Sequence, residues 1–162
     1  MLCIFVSSFT IMTSCSIREE DYEQAIVNEW ELEELTRRDD FYVAGTWEWG
    51  TSVFSDFEEP IRISFKSDGT YFYSRGTKIH SSSDYNWLIL GDCLSLHVSL
   101  TLANYVYCHR EVTDGPGNNE DRYELRASLD RNVTIEQLTR TKLVLFQGDE
   151  SREFERWVFK KI

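Results

Sequence analysis

One stretch, Ile61–Tyr73, decides the fold, and it reads Ile-Arg-Ile-Ser-Phe-Lys-Ser-Asp-Gly-Thr-Tyr-Phe-Tyr. Its first half alternates, with Ile61, Ile63 and Phe65 on one side and polar residues between them, which is the pattern of a half-buried strand. The Ser-Asp-Gly that follows predicts a tight turn in which Gly69 takes a positive φ. β-Branched and aromatic residues then lead the chain back. The stretch therefore predicts an antiparallel hairpin with one apolar face.

The residues before this hairpin predict one short helix and a first pair of strands. Glu19–Val27 is charged and carries apolar residues three and four positions apart, which favours a short helix. Alternation around Trp30 predicts a first strand, and the acidic pair Asp39-Asp40 predicts the turn that ends it. Phe41–Trp49 is a second candidate strand. This part of the chain is expected to add its two strands to the central hairpin.

The residues after the hairpin repeat the same unit. The clearest alternation of the chain starts at Cys93, and Tyr105–Val112 is predicted to pair back on it through a turn at Leu100-Thr101. Lys142–Gln147 and Phe154–Lys160 predict a final hairpin. In all, eight to ten short antiparallel strands with almost no helix predict an all-β barrel or sandwich. Eight strands would close a barrel wide enough for packed side chains or for one small ligand.

Composition limits the possible functions. The chain has 162 residues, of which 41% are apolar and 14% aromatic, so it can bury a core as one domain behind a short leader. Its formal net charge is −11. An acidic surface repels phosphate backbones, so nucleic acid is not an expected partner.

The leader carries the most specific signal in the sequence. Met1–Cys15 is uncharged and apolar, too short to span a bilayer as a helix but typical of a signal peptide. Its end, Met12-Thr13-Ser14-Cys15, resembles the lipobox of bacterial lipoproteins. The resemblance implies a signal peptide over residues 1–14, removed before Cys15, and acylation of Cys15 with palmitate-type chains. A firm membrane anchor needs more than one chain.

The resemblance to lipoproteins also predicts a location and a domain organisation. Residues 15–25 are expected to form a tether with a short helix, and residues 26–162 the β-domain. The acidic run Glu19-Glu20-Asp21 resembles a signal that exports lipoproteins to the outer face of the outer membrane, and a solvated tether is the alternative. The expected location is the bacterial cell envelope, anchored by lipid to the outer membrane and facing either the periplasm or the surface.

Four segments of the β-domain together resemble the bacterial lipocalin-like domain. They are, in chain order, Ile26–Leu32, Ile63–Tyr71, Trp87–Leu96 and the tail from Ile135 to Ile162. The resemblance implies an up-and-down lipocalin-like barrel that binds a small apolar or amphipathic molecule. Lipocalins commonly open on Gly-x-Trp, and two positions compete for that tryptophan: Trp30, in Asn28-Glu29-Trp30, and Trp47, in Gly45-Thr46-Trp47. The arginine that stacks on it in the family would be Arg152 or Arg156.

Aromatic side chains are the candidate ligand-binding residues. The set consists of Tyr71, Tyr73, Trp87, Tyr105 and Tyr107. Such residues either line a cavity or fill the interior of a small barrel, and the sequence does not separate the two possibilities. If the barrel is filled, the alternative function is a non-catalytic interaction with another envelope protein.

Cysteines and histidines give weaker signals. Cys93 and Cys108 are placed symmetrically about Leu100-Thr101, so a hairpin there would bring them together, and export would permit a disulfide. Free core cysteines are the alternative. The three histidines show no zinc-ligand spacing, and the catalytic and phosphate-binding motifs with known mechanics are absent from the sequence. The expectation is therefore a protein without catalytic activity, metal or cofactor.

Overall fold

A computed structural model describes residue 18 and residues 21–162. The predicted signal peptide and the predicted lipidation site Cys15 lie outside the described residues. The described chain forms one helix and twelve strands. Their bounds are α1 Tyr22–Ile26, β1 Glu29–Val43, β2 Thr46–Ser55, β3 Ile61–Phe65, β4 Tyr71–Arg75, β5 Lys78–His80, β6 Trp87–Leu90, β7 Cys93–Leu96, β8 Leu100–Asp114, β9 Glu120–Leu129, β10 Asn132–Leu138, β11 Lys142–Gly148 and β12 Phe154–Lys161.

The strands pair in one antiparallel sheet that forks at β1. The main path runs β5-β4-β3-β1-β12-β11-β10-β7-β6, and a branch leads from β1 through β2 and β8 to β9. The fork arises because β1 is fifteen residues long. One edge of β1 pairs first with β3 over Glu29–Glu31 and then with β2 over Leu35–Val43, while the other edge pairs with β12. The prediction of an all-β antiparallel fold with a short N-terminal helix is confirmed.

The ladders do not close the sheet into a barrel, because the main path ends at the edge strands β5 and β6. The start of β6 nevertheless lies beside the start of β4. A single bridge joins Thr70 to Asn86, and the amides of Tyr71 and Trp87 donate to the carbonyls of Tyr85 and Gly69 at 2.9 and 2.8 Å. The segment before β6 is therefore fixed to the central hairpin by backbone hydrogen bonds.

The central and final hairpins form as predicted. In the central hairpin Phe65 pairs with Tyr71, and Gly69 takes the φ of 81° that the turn requires. In the final hairpin β11 pairs with β12 along its whole length. In each hairpin two apolar, β-prone segments are separated by a short polar turn, so the local signals agree with the place of the hairpin in the sheet.

The predicted turn at Asp39-Asp40 is wrong. Both aspartates lie inside β1, where Asp39 pairs with Gly50 and Asp40 with Trp49 of β2. The chain turns instead at Ala44-Gly45, with φ values of 49° and 92°. Two consecutive positive φ values are those of a type I′ turn, whose twist matches that of the flanking strands. The long β1–β2 hairpin therefore projects past the end of β12, which pairs with β1 only as far as Arg38.

The predicted hairpin at Leu100-Thr101 is also wrong. Strand β7 ends at Leu96 and pairs with β6 and β10, whereas β8 begins at Leu100 and pairs with β2 and β9. Cys93 and Cys108 consequently lie on strands that do not pair with each other, and both carry free thiols. Cys108 is buried, which raises the pKa of its thiol to about 11. The geometry on which the possible disulfide depended is absent.

The core is filled by large side chains from both halves of the chain. Its largest fully buried members include Trp30, Trp157, Phe65 and Phe159. The Nε1 of Trp30 donates to the carbonyl of Ile26 at 2.9 Å, so the helix α1 is fixed over the indole. Of the two candidate tryptophans, Trp30 is the buried one, with 0% exposure, and Trp47 is 67% exposed.

The predicted stacking of an arginine on the buried tryptophan is not seen in the described part of the chain. The guanidinium of Arg156 lies 5.5 Å from the ring centres of Phe146 and Phe154, and it pairs with Glu136 and Glu150. The other candidate, Arg152, lies in the turn between β11 and β12. The contacts of Arg156 are therefore with residues of β10, the final hairpin and its turn, and not with Trp30.

Candidate functional site

The predicted ligand-binding residues fall into two groups that lie apart. Tyr71 and Tyr73 of β4 meet Trp87 of β6 in a continuous set of ring contacts that we call the aromatic row. It also contains three further rings, those of Phe65, His80 and Tyr85. Tyr105 and Tyr107 lie on β8, and their ring contacts are with arginines. The sequence thus identified three members of one row and two residues outside it.

The aromatic row passes through the core by neighbouring ring pairs, and both of its ends are partly exposed. Trp87 meets Phe65 edge-on at 5.7 Å, and Phe65 lies 6.3 Å from Tyr71. Tyr71 then stacks on Tyr85 at 5.1 Å with an interplanar angle of 3°. The row ends at the surface, where Tyr73 stacks on His80 at 4.6 Å. Offset stacking and edge contacts of this kind stabilise aromatic pairs beyond the area they bury.

The inner part of the row is packed and hydrogen-bonded. Tyr71 is buried, and its hydroxyl donates to the carbonyl of Val98 at 3.0 Å. Burial raises the pKa of Tyr71 to about 12, because the phenolate would lose its hydration. Burial and the neighbouring Tyr85 also raise the pKa of Tyr73. These rings fill the interior rather than line a space in it.

A change at Tyr71 should alter the response of the fold to alkaline pH. Because the folded chain holds this proton to about pH 12 and an ordinary tyrosine releases it near 10.0, unfolding releases a proton between those values. The free energy of unfolding should therefore fall as the pH rises through that window. Tyr71→Phe is expected to make the fall shallower and to cost about 1 kcal/mol at neutral pH through the lost hydrogen bond. Urea unfolding from pH 7 to 11.5 measures both effects.

The control for this prediction is Tyr105→Phe, which removes a hydroxyl from an exposed ring. It should leave both the neutral stability and the alkaline slope unchanged. An alkaline slope that is equally steep in wild type and Tyr71→Phe would show that the buried hydroxyl is not its source.

Trp87 borders an apolar groove beside the row. Its Nε1 lies 3.0 Å from the carbonyl of Thr70 and 3.2 Å from that of Lys66, so the ring is fixed against the central hairpin. The groove has a volume of about 480 Å³ and opens to solvent between α1, the central turn and β6. Val27 and the half-exposed Leu88 contribute its other apolar lining. The space is large enough for a small molecule, although it is not enclosed.

The two tyrosines on β8 are covered by cations. The guanidinium of Arg126 lies 3.7 Å from the ring centre of Tyr105, and that of Arg122 lies 3.6 Å from the ring centre of Tyr107. The Tyr107 hydroxyl donates to Glu124 at 3.2 Å. Glu58 holds Arg122 in place at 2.8 Å, and this contact raises the pKa of that arginine. The geometry places neither tyrosine in the aromatic row.

A polar groove between β1, β9, β11 and β12 is lined by residues that hydrogen-bond to one another. Arg37 donates to Glu155 at 2.7 Å, and Gln147 donates to the second oxygen of that carboxylate at 2.8 Å. Arg37 also donates to the carbonyl of Arg126, and Gln147 to that of Ser128. Burial raises the pKa of Glu155. These groups brace the branch strand β9 against the main sheet, which accounts for their polarity without a ligand.

Sequence reasoning missed the most exposed aromatic surface of the described chain. Tyr42, Trp47 and Trp49 lie on one side of the projecting β1–β2 hairpin, and we call this surface the hairpin face. Their exposed fractions are 64%, 67% and 41%. Tyr42 and Trp47 are register partners with ring centres 5.2 Å apart. The sequence did contain a signal: Tyr42 lies two residues before Ala44-Gly45, Trp47 lies two residues after it, and Trp49 follows two residues later. Because the turn was predicted at Asp39-Asp40, these aromatics were not placed on one hairpin.

The opposite side of the same hairpin is packed against the branch strands. Phe41 lies there, 5.4 Å from the guanidinium of Arg110, which also lies 5.0 Å from the ring centre of Tyr123. Arg110 is buried and donates to the hydroxyl of Ser52 at 3.1 Å. A Cβ on Gly50 would come within 2.9 Å of the Phe41 ring, so the backbone and the ring are in close contact. The base of the hairpin is therefore held rigidly.

Carboxylates surround the base of the hairpin face. Asp40 is the register partner of Trp49 and lies on the same side of the ribbon. Its carboxylate and those of Asp39 and Glu153 all lie within 4.8 Å of one another. Glu48 is also exposed, but it is the register partner of Phe41 and lies on the opposite side of the ribbon. The guanidinium of Arg38 lies 5.9 Å from the ring centre of Trp49.

The histidines do not converge. His80 stacks on Tyr73 in the aromatic row, His97 is exposed in the bend after β7, and His109 on β8 lies 3.7 Å from the carboxylate of Asp121. Within residues 21–162, the three carboxylates of Asp39, Asp40 and Glu153 are the one group of three potential metal ligands in close proximity. That group contains neither histidine nor cysteine.

Comparisons with protein-family models, curated proteins and solved structures found no match to this chain. In the described part of the chain, no helix has the length and apolar character needed to cross a bilayer. The candidate site therefore stands on its own geometry: a packed aromatic row, an open apolar groove beside it, and an exposed aromatic hairpin face.

Proposed function

We propose that the protein is a lipoprotein of the bacterial cell envelope, anchored to the outer membrane through lipid on Cys15, with a lipocalin-like β-domain. In this proposal the domain is a non-catalytic interaction module that contacts another protein. The anchor is supported by the sequence Met12-Thr13-Ser14-Cys15 and by the acidic run that follows it. The interaction role is supported by the β-domain itself.

The single observation that carries the interaction role is the filled interior. Trp30, Trp157, Phe65 and Phe159 are fully buried in the core, and large side chains packed in this way fill the interior of a small β-fold. The groove beside Trp87 and the groove beside Glu155 both open to solvent. A protein partner needs no internal cavity, and the exposed hairpin face offers it rigid aromatic contacts.

A second candidate function is the binding of a small apolar or amphipathic molecule outside the core. The groove beside Trp87 favours it, since this groove has about 480 Å³ of space and an apolar lining that includes Leu88. Two members of the predicted ligand-binding set, Tyr71 and Tyr73, would then act only by holding the neighbouring rings in place.

The anchor and the interaction can be tested together on the full chain. Wild-type protein is expected to fractionate with membranes, to incorporate labelled palmitate, and to give one discrete cross-linked species with a second protein in formaldehyde-treated cells. Cys15→Ala removes the acyl acceptor, so it should lose the label, the membrane fractionation and the cross-linked species. Ser16→Ala, at the next position, is the matched control and should keep all three.

Two results would count against this proposal. Membrane fractionation and palmitate labelling that are unchanged in Cys15→Ala would overturn the anchor. A stoichiometric small molecule in native mass spectra of the purified chain, lost in Leu88→Glu, would favour the second candidate function over the first.

A further inference from the structure

We infer that the hairpin face, Tyr42, Trp47 and Trp49, is the docking surface for the partner, and that it receives a protein segment carrying a lysine or arginine beside apolar residues. The inference rests on the proposed interaction function and adds to it the surface and the chemistry of the partner. Four features of the described residues support it: exposure, rigidity, charge and position.

Exposure makes the hairpin face suited to contact, since it is the most exposed aromatic surface within residues 21–162. Three large rings are presented on one side of a two-stranded ribbon, and two of them are more than 60% exposed. An aromatic side chain buries about 150–250 Å² when it is fully covered, and these three rings still present roughly two-fifths to two-thirds of their surface to a partner. Tryptophan and tyrosine are also the residue types most enriched among those that dominate binding energy.

Rigidity makes those rings suited to specific binding. The type I′ turn at Ala44-Gly45 closes the ribbon, and Tyr42 and Trp47 already contact each other across it. On the opposite side, Phe41 and Arg110 fix the ribbon to β8. A surface that is ordered before binding loses less conformational freedom when the partner docks.

Charge indicates what kind of partner fits. The carboxylates of Asp39, Asp40 and Glu153 lie close together, and Asp40 is the register partner of Trp49 on the hairpin face. Arg38 already lies 5.9 Å from the ring centre of Trp49. A lysine or arginine of the partner would therefore pair with the carboxylates, and the more exposed indole of Trp47 would offer it a cation–π contact. The net charge of −11 would steer a basic segment towards the chain and repel an acidic one.

Position favours a protein partner over the anchoring membrane. Strand β1 leads from Glu29, just after α1, to Val43 at the hairpin tip, a path of up to about 45 Å at 3.3 Å per residue. The proposed anchor at Cys15 lies seven residues before Tyr22, so the tether spans at most about 25 Å. The tip therefore lies at the opposite end of β1 from the tether, where it can reach away from the anchored leaflet.

The inference can be tested by selecting random twelve-residue peptides, displayed on phage, against the purified full chain in detergent. Enriched peptides are expected to contain lysine or arginine next to aromatic or aliphatic residues. Fluorescence anisotropy of one enriched peptide should show at least tenfold weaker binding to the double variant Trp47→Ser, Trp49→Ser. Asp40→Asn should weaken binding severalfold and reduce its dependence on salt.

The matched control is Leu90→Ser, which removes a side chain of similar exposure, 65%, from the edge strand β6. It should leave peptide affinity unchanged. Circular dichroism and thermal unfolding of the hairpin variants should match wild type, because the mutated rings lie outside the core.

Several results would overturn the inference: no enrichment, enrichment of acidic peptides, or equal binding by the double variant. Binding to phosphatidylcholine–phosphatidylglycerol vesicles or self-association, if lost in the double variant, would assign the face to a membrane or to a second copy instead. If the double variant keeps the cross-linked species in cells while Cys15→Ala loses it, the hairpin inference fails and the proposed function stands.

Discussion

Trp30→Ala is expected to lower the free energy of unfolding by about 3–5 kcal/mol, the range found when a fully buried tryptophan is truncated. Trp30 is 0% exposed and pairs with Ile63 of β3 on one side and Lys161 of β12 on the other, so its ring lies where three strands meet. The change would also remove the hydrogen bond from its Nε1 to the carbonyl of Ile26. Loss of that bond should release α1 from the sheet in addition to leaving a cavity.

Denaturation by urea, followed by far-ultraviolet circular dichroism, measures this loss. The matched control is Trp47→Ala, which truncates the same residue type at 67% exposure and should change the stability by less than about 0.5 kcal/mol. Equal losses in the two variants would contradict the assignment of Trp30 to the core and of Trp47 to a free surface.

The contrast between these two tryptophans shows how far the sequence alone could lead. Both lie in motifs that resemble the start of a lipocalin, and local sequence left the choice open. The choice depends on long-range pairing: Trp30 meets β3 and β12, whereas Trp47 pairs only with Tyr42 at the end of the ribbon. Burial is decided by such partners, which local sequence does not reveal.

Alternation of apolar and polar residues predicted that strands are present, but it did not predict where one strand ends and the next begins. Leu94 and Leu96 of β7 and Leu100 of β8 are all buried, so the pattern of alternating burial continues through the bend at residues 97–99. The bend occurs because the chain leaves β6 and β10 and joins β2 and β9. Alternation reports which face a side chain occupies, and it carries no information on a change of neighbouring strand.

At Asp39-Asp40 the sequence predicted a break where the strand continues, whereas at residues 97–99 it missed a break that is present. Aspartates are frequent in turns, but here they tolerate an extended strand, in which their register partners are Gly50 and Trp49. Placing the turn there divided the aromatic ribbon and hid the hairpin face. The aromatic row was found in part because its residues belong to regular strands whose alternation is visible.

Gly115→Ala is expected to destabilise the protein by about 3 kcal/mol and to weaken any binding by the hairpin face. Gly115 follows the last residue of β8 and has a φ of +81°, a conformation that costs other residues roughly 1–2 kcal/mol. A Cβ there would also overlap the carbonyl of Trp49 and come within 2.5 Å of the Cα of Gly50. Both contacts are to backbone, so the ribbon that carries Trp49 must move to relieve them.

Gly91→Ala separates the cost of a positive φ from the cost of steric overlap with the Trp49 and Gly50 backbone. Gly91 has a φ of +64°, and a Cβ there would meet nothing within 4 Å, so this variant bears the backbone cost alone, about 1 kcal/mol. The difference in unfolding free energy between the two variants measures the close approach at Gly115. Because that approach fixes the position of Trp49, the fluorescence of the exposed tryptophans should change in Gly115→Ala and stay the same in Gly91→Ala. Equal stabilities and unchanged spectra would mean that β8 does not hold the hairpin in place.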